Sequence, residues 1–317
     1  MTDTRFNPDE MHIVCGTDDN YVPHLAALLS SIADNKGRET IHVHGILDGV
    51  QPANLALIEG MRLDLVLHWY QVADHDALDL PDESALRMPS VLHISRATYL
   101  RLISDKLLPE DLSRVLYLDI DMIVTDSLLP IWQIELGDNA CAAVTNPGTD
   151  LEEFAQRFGL EGKSDYFNAG MILFDLDVVR RENLFQTALD ALQADPEKFA
   201  FADQDALNIV YWGRWHALDP SYNFQRKFLM TMFPFESRFA ASDTAPKIIH
   251  YTQALKPWKP DEWHPYRWLY RKHLKRTPFS EKILKGAQIG PLNLLRSWVS
   301  YRKFVATSGL AKCAVHH

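Results

Sequence analysis

Three apolar runs near the start of the chain, Met11–Gly16, Thr40–Leu47 and Leu63–Val72, are each short enough to be a strand. Stretches with helical spacing separate them. Pro23 opens the first of these, in which Leu25, Leu28, Leu29 and Ile32 recur at the helical period, and Pro52–Met61 is the second. This alternation predicts a parallel sheet covered by helices, because parallel neighbours need a crossover longer than a hairpin turn. In such sheets ligands collect at the carboxyl ends of the strands. The first run stops in Thr17-Asp18-Asp19-Asn20, without the G-x-G-x-x-G fingerprint of a dinucleotide site. Asp18 and Asn20 are placed to cap the next helix or to read a base or ribose, and these residues alone favour the cap. At 317 residues and 47% hydrophobic content, the chain can build one large domain, or one domain with an appendage.

The stretch YLDIDMIVTDSL carries the sharpest chemical signal. Val115, Leu116 and Leu118 read as a buried strand that ends in Asp119, Ile120 and Asp121. In extended backbone, residues two apart share a face, so the two carboxylates converge while Ile120 points to the core. Two carboxylates so close repel each other, and a hard divalent cation, Mn²⁺ or Mg²⁺, relieves that repulsion. A lone D-x-D is more often a strand-ending turn. Other stretches therefore have to carry part of the argument.

Several do. Ser95 is placed to cap a helix running to about Leu107, near whose end Arg101 either meets a phosphate or carboxylate or lies on a solvated face. In YFNAGMILFDL, the small Asn168-Ala169-Gly170 lets backbone approach a ligand, with the Asn168 amide as a polar hook. In DQDALN, Asp203 is expected as a helix N-cap with Gln204 in the first turn. In IHYTQALKPW, an apolar strand ends at His250, an imidazole that with two carboxylates would make a partial ligand set for a divalent metal, although one histidine among 13 means little by itself. Lys256 follows, suited to a phosphate.

Charge is unevenly spread. From Leu255 onward there are 13 Lys and Arg against three acids, so of the whole-chain charge of −10 the first 254 residues carry −20. An acidic body of this kind argues against nucleic acid as a partner. The basic tail interleaves cations with Trp263, Tyr266, Trp268, Leu269 and Tyr270, and Leu292–Phe304 is similar. This pattern suits either contact with an anionic membrane surface or a packed helical extension with a solvated basic face. Three cysteines, Cys15, Cys141 and Cys313, are scattered without metal-type spacing. That fits a reducing compartment. With no apolar leader and no run of about 18 apolar residues, the expectation is a cytoplasmic protein, with peripheral contact at the inner face of the membrane under the first of the two readings of its tail.

Taken in order, IVCGTDDNY, YLDIDMIVTDSL, YFNAGMILFDL, DQDALN and IHYTQALKPW resemble the retaining glycosyltransferases of family 8, which include bacterial lipopolysaccharide galactosyl- and glucosyltransferases and glycogenin. The resemblance covers roughly residues 11–258, and five blocks in order are far more specific than one D-x-D. It implies an α/β fold of the GT-A, nucleotide-diphosphosugar transferase type, a mixed, mostly parallel sheet flanked by helices. It also implies a catalytic domain over residues 1–258 and a basic, aromatic-rich helical extension over 259–317. By similarity, Thr17, Asp18 and Asn20 lie at the uridine of a UDP-hexose. Asp119, Asp121 and His250 hold Mn²⁺, Ile120 offers backbone to the nucleotide, and Lys256 binds the diphosphate. Arg101, Asn168, Ala169, Asp203 and Gln204 surround the donor sugar. The family pattern H-x-x-G-x-x-K-P-W has Gln253 here at the glycine position, so backbone approach to phosphate changes or the Gln253 amide supplies the contact.

The implied reaction moves glucose or galactose to a saccharide or glycolipid acceptor. Gln204 is a poor nucleophile, which favours a front-face route in which it stabilises an oxocarbenium-like sugar. Asp203 as covalent nucleophile is the weaker version. Two other readings compete. Sugar-1-phosphate nucleotidyl transfer would want a Gly-rich loop after the first strand, which GTDDNY does not supply. A non-catalytic UDP-sugar sensor or scaffold would bind nucleotide without turnover.

Overall fold

The early apolar runs pair as expected. In the computed structural model, which describes residues 7–72, 96–229, 245–252, 256–260 and 264–307, β1 (Glu10–Asp18), β2 (Thr40–Asp48) and β3 (Val66–Gln71) run parallel. Helices Val22–Asn35 and Pro52–Glu59 lie between them in the chain. β4 (Arg114–Leu118) joins β1 in parallel. β5 is Met122–Val124 and β6 is Cys141–Thr145. β7 (Phe167–Asp175) pairs antiparallel with both β4 and β6, and β8 (Trp215–Ala217) runs parallel to β6. The main sheet reads β3-β2-β1-β4-β7-β6-β8, a mixed sheet with more parallel than antiparallel pairs. β9 (Phe224–Gln225) and β10 (Ile248–His250) form a small second sheet with β5 in the order β5-β10-β9.

Both faces of the main sheet are covered. In β4, Val115 and Tyr117 enter one buried cluster while Leu116 and Leu118 enter the other. A continuous apolar run is what a strand buried on two faces needs.

Two local expectations change. The segment before β4 is not one α-helix: Arg96–Ile103 is a 3₁₀ helix followed by a single α turn, Ser104–Leu107, and Ser95 lies outside the described residues. Every side chain from Tyr99 to Ser104 is buried, so packing on all sides, not an amphipathic stripe, sets its geometry. Of the two readings of the basic C-terminal stretch, the interfacial one does not hold for Tyr266, Leu269 and Tyr270: they take the packed form, buried in a cluster with Ala27, Phe224 and Ile249. The Tyr270 hydroxyl meets His24 Nδ1 at 2.5 Å. Trp263 lies outside the described residues. Among those described, no helix is long and apolar enough to cross a membrane.

Four histidines stack on one face at the sheet's edge. His12 and His42 lie 4.7 Å apart between ring centroids, as do His44 and His68. Ring nitrogens of His12 and His44 approach to 3.0 Å, and those of His42 and His68 to 3.1 Å. Burial and the neighbouring rings push His44 down to about 3 and His12 down to about 4. The folded protein therefore holds both neutral, while the unfolded chain takes up protons below about pH 6.5. Stability is full above that pH and falls as pH drops toward the folded-state values. Urea unfolding should lose about 2 kcal/mol from His44 between pH 7 and 5, and less from the more exposed His12. A His44→Phe variant should show a visibly flatter dependence, and equal slopes in the two proteins would refute the assignment.

Candidate active site

The site lies where the two sheets meet. β4, the middle strand of the main sheet, ends at Leu118, and residues 120–121 turn the chain into β5 of the small sheet. The two acids therefore converge through this turn, not by alternation along a strand. Ile120 is partly buried against the core. β10 pairs antiparallel with β5, His250 opposite Met122, and the Tyr251 N–H donates to the Asp121 carbonyl. This register carries His250 to the acids across more than a hundred residues of chain.

Asp119, Asp121 and His250 each offer one ligand atom, all within 4.8 Å of one another. His250 Nε2 is 3.2 Å from Asp121 Oδ1 and 3.7 Å from Asp119 Oδ2. The other oxygens of the two acids are held by the protein. Tyr117 Oη donates to Asp119 Oδ1 at 2.7 Å and Arg101 Nη2 at 2.9 Å. Lys256 Nζ pairs with Asp121 Oδ2 at 2.5 Å. Burial works to raise the Asp121 pKa, but Lys256 and His250 outweigh it and hold the carboxyl well below its usual range. One buried imidazole and two anionic oxygens from half-buried acids fit Mn²⁺ or Mg²⁺. Gly170 makes the cluster possible: a Cβ there would lie 2.2 Å from His250 Cε1 and 2.9 Å from Asp119 Oδ2.

Arg101 is buried, not solvated, at 5% exposure. It bridges Asp119 and Asp203, with Nε 2.7 Å from Asp203 Oδ2, donates to the Ala169 carbonyl, and lies 4.3 Å over the Tyr117 ring. Asp203 is not the helix cap. The helix is Ala202–Val210, preceded by Phe201, and Asp203 points from its first turn to Arg101. The turn is held instead by Asp205, whose Oδ2 accepts from the N–H groups of Ala200 and Phe201 at 2.7 and 2.9 Å. Ala202 takes a left-handed φ of 45° at this point, a strained geometry for a residue with a Cβ. Burial pushes Asp203 up to about 6, with Asp119 adding to the shift and Arg101 opposing it.

Amides line the adjoining wall. Gln204 Oε1 accepts from Asn168 Nδ2 at 3.0 Å and from the Ala169 N–H at 3.1 Å, and its Nε2 donates to Tyr166 Oη. Tyr166 in turn donates to Asp205. Asn168 Oδ1 accepts from Asn223 Nδ2 and from the Gly170 N–H. Asn223 Oδ1 lies 2.9 Å from His250 Nδ1.

At the end of β1, the buried Thr17 hydroxyl donates to the Asp18 carbonyl, and Asp18 Oδ1 accepts from the N–H groups of Asn20 and Tyr21. Asp18 thus holds the turn that leads into the helix Val22–Asn35 but does not cap it: Tyr21 stands at the N-cap, with no side-chain cap bond. Tyr21, 39% exposed, meets Trp258 edge-on, and Trp258 stacks on His24 at 3.7 Å. Gln253 lies outside the described residues. The tertiary structure therefore gathers Arg101, Asp119, Asp121, Asn168, Ala169, Asp203, Gln204, His250 and Lys256. It adds Tyr117, Tyr166, Asp205 and Asn223, which sequence reasoning gave no site role. Tyr117 carried a signal, since it lies only two residues before Asp119; Asn223 carried none.

A mixed sheet of this order, with an acid pair leaving its middle strand and an imidazole returning from a small second sheet, defines the GT-A nucleotide-diphosphosugar transferase fold. The sequence model of glycosyl transferase family 8 matches residues 12–262, and the chain belongs to that family. It is 27% identical to General stress protein A of Bacillus subtilis over 281 residues, 85% of this chain and 95% of that protein. It is 26% identical to lipopolysaccharide 1,3-galactosyltransferase of Salmonella typhimurium over 286 residues, 87% of this chain and 81% of that one. The solved galactosyltransferase LgtC, in complex with donor and acceptor sugar analogues, superposes with a TM-score of 0.73 at 26% identity, covering 87% of this chain and 100% of LgtC.

Proposed function

We propose that this protein is a Mn²⁺-dependent retaining hexosyltransferase. It moves glucose or galactose from a UDP-sugar to a saccharide or glycolipid acceptor in lipopolysaccharide or other cell-surface glycan synthesis. The observation that carries this reading is the convergence of Asp119, Asp121 and His250 within 4.8 Å. Family membership and the lipopolysaccharide galactosyltransferase relative support it.

Bound there, the metal supplies Lewis-acid stabilisation of a departing diphosphate. The protein's own groups do the rest. Lys256, already beside Asp121, adds a cation on the phosphate side. Thr17, Asp18 and Asn20 lie at the uridine and Ile120 offers backbone to the nucleotide, while Gln253, outside the described residues, is assigned to the diphosphate from its place in the family pattern alone. Arg101 holds Asp119 and the Ala169 carbonyl in place beside the sugar. Gln204, clamped at both ends of its amide, presents a fixed dipole to the oxocarbenium-like sugar while the acceptor attacks from the side that UDP leaves. Asp203 is tied to Arg101 and buried, which suits a positioning residue better than a covalent nucleophile.

UDP-glucose, UDP-galactose and their N-acetyl analogues, each incubated with Mn²⁺ or Mg²⁺, decide the matter by UDP release. An enzyme releases UDP from at least one. A sensor or scaffold binds UDP and releases none. Asp121→Asn should lower metal-stimulated release by about 10²–10³-fold, as for loss of a group that stabilises developing charge; full activity in that variant would refute the metal assignment. Proton NMR of the first-formed product reads retention directly.

The exposed apolar groups of the C-terminal region suit peripheral contact with an anionic, inner-face membrane. Leu292, Leu295, Trp298 and Val299 are 43–57% exposed on the helix Pro291–Thr307 at spacings of three and four, among the exposed cations Arg296, Arg302 and Lys303. The protein should sediment with phosphatidylcholine vesicles containing phosphatidylglycerol and not with phosphatidylcholine alone. Trp298→Ser should weaken that binding. Failure to sediment with either vesicle sinks the membrane reading and leaves the transferase reading intact.

A further inference from the structure

We propose that Asn223 is a positioning residue that couples the metal-facing tautomer of His250 to the placement of Gln204. The inference rests on the transferase reading for its functional consequence and on hydrogen-bond directions for its geometry.

Those directions are not free choices. A backbone N–H can only donate. The Gly170 N–H points at one end of the Asn168 amide at 3.1 Å, so that end is oxygen. The Ala169 N–H likewise fixes the Gln204 oxygen. At the far end, Gln204 Nε2 donates to Tyr166 Oη, so the Tyr166 hydroxyl gives its own proton to Asp205 Oδ1, while Asp205 Oδ2 accepts from the N–H groups of Ala200 and Phe201. At the near end, Asn168 Oδ1 must receive the NH₂ of Asn223 at 2.9 Å. The carbonyl of Asn223 then faces His250 Nδ1 at 2.9 Å, and a carbonyl only accepts. Nδ1 therefore carries a proton, which leaves Nε2 as the nitrogen that faces Asp119 and Asp121 and can take a metal.

One unbroken row thus runs from His250 through Asn223, Asn168, Gln204 and Tyr166 to Asp205. Asn223 is fully buried and directly precedes β9, the strand that pairs with β10 beside His250. Its backbone is held by the same small sheet that positions the ligand. A second partner of this kind typically sets a metal-bound imidazole's tautomer and basicity. Here the same amide also braces the wall around Gln204, so metal uptake and sugar placement share one anchor.

Three variants separate the roles. Asn223→Ala should lower Mn²⁺ affinity about 10–100-fold in a titration without donor, the usual effect of losing such a partner. Asn223→Asp keeps an acceptor for Nδ1 and loses the donor to Asn168. It should retain Mn²⁺ affinity within about threefold while kcat for UDP-sugar hydrolysis falls at least about tenfold and KM changes little. Tyr166→Phe, at the other end, should leave Mn²⁺ affinity unchanged and lower kcat. ¹⁵N NMR of histidine-labelled protein reads the tautomer without metal: His250 should be protonated at Nδ1 in the wild type and averaged in Asn223→Ala. Should Asn223→Ala fail to fold, the isosteric Asn223→Asp and the wild-type tautomer decide. An Nε2–H tautomer in the wild type overturns the proposal, as does wild-type Mn²⁺ affinity in Asn223→Ala or wild-type kcat in Asn223→Asp. If the wild type takes up no Mn²⁺ and releases no UDP, the transferase reading fails, and the tautomer still tests the hydrogen-bond row on its own.

Discussion

Gly170→Ala should remove metal binding, lowering Mn²⁺ affinity by at least about 100-fold, the upper range for disturbing an imidazole's supports. The added Cβ would stand 2.2 Å from His250 Cε1, 2.7 Å from its Nδ1 and 2.9 Å from Asp119 Oδ2. None of these neighbours can retreat cheaply. His250 is 4% exposed and bonded to Asn223. Asp119 is held by Tyr117 and Arg101. The backbone of Gly170 is pinned as well, since its carbonyl accepts from the Asp119 N–H at 2.7 Å. Gly170 has no left-handed φ, so the effect is one of space and not of backbone strain. Relaxation has to move His250 away from the acids. Mn²⁺ titration checks this, with circular dichroism to show the fold intact. Wild-type affinity in Gly170→Ala would mean that His250 is not a ligand.

Arg101→Met should destabilise the protein by about 3–5 kcal/mol, the cost of leaving buried charge without its partner. Arg101 touches two carboxylates and a carbonyl at once. Without it, Asp119 and Asp203 face each other across the vacated space. Asp203 already strains against its surroundings: burial raises its pKa, and Asp119 raises it further. Asp203→Leu in the same chain should return part of the loss, because removing a buried charge together with its partner is far less costly than removing one alone. Urea midpoints of the two single variants and the double variant form the cycle. Additive losses would show that Arg101 and Asp203 do not depend on each other.

What the sequence by itself determined is what side-chain periodicity and neighbouring residues can encode. Alternating strand and helix patterns specified a parallel, helix-covered unit. The apolar run before Asp119 specified a strand buried on both faces, and the family's five blocks placed the acids, His250 and Gln204 in one reading. Where the determinant was distant in the chain, local pattern was silent or misleading. Arg101 read equally well as a solvated cation until the fold enclosed it between Asp119 and Asp203. Asp203 read as a cap, yet Asp205 holds that turn. Tyr266, Leu269 and Tyr270 read as interfacial or as a packed extension, and only the fold makes them core. Only the tertiary structure could reveal that Gly170 is small because His250 lies against it, and that Asn223 joins the two halves of the site. The physical reason is register. A residue's periodicity fixes the face it occupies, but the pairing of β5, β10 and β9 decides which distant side chain waits on that face.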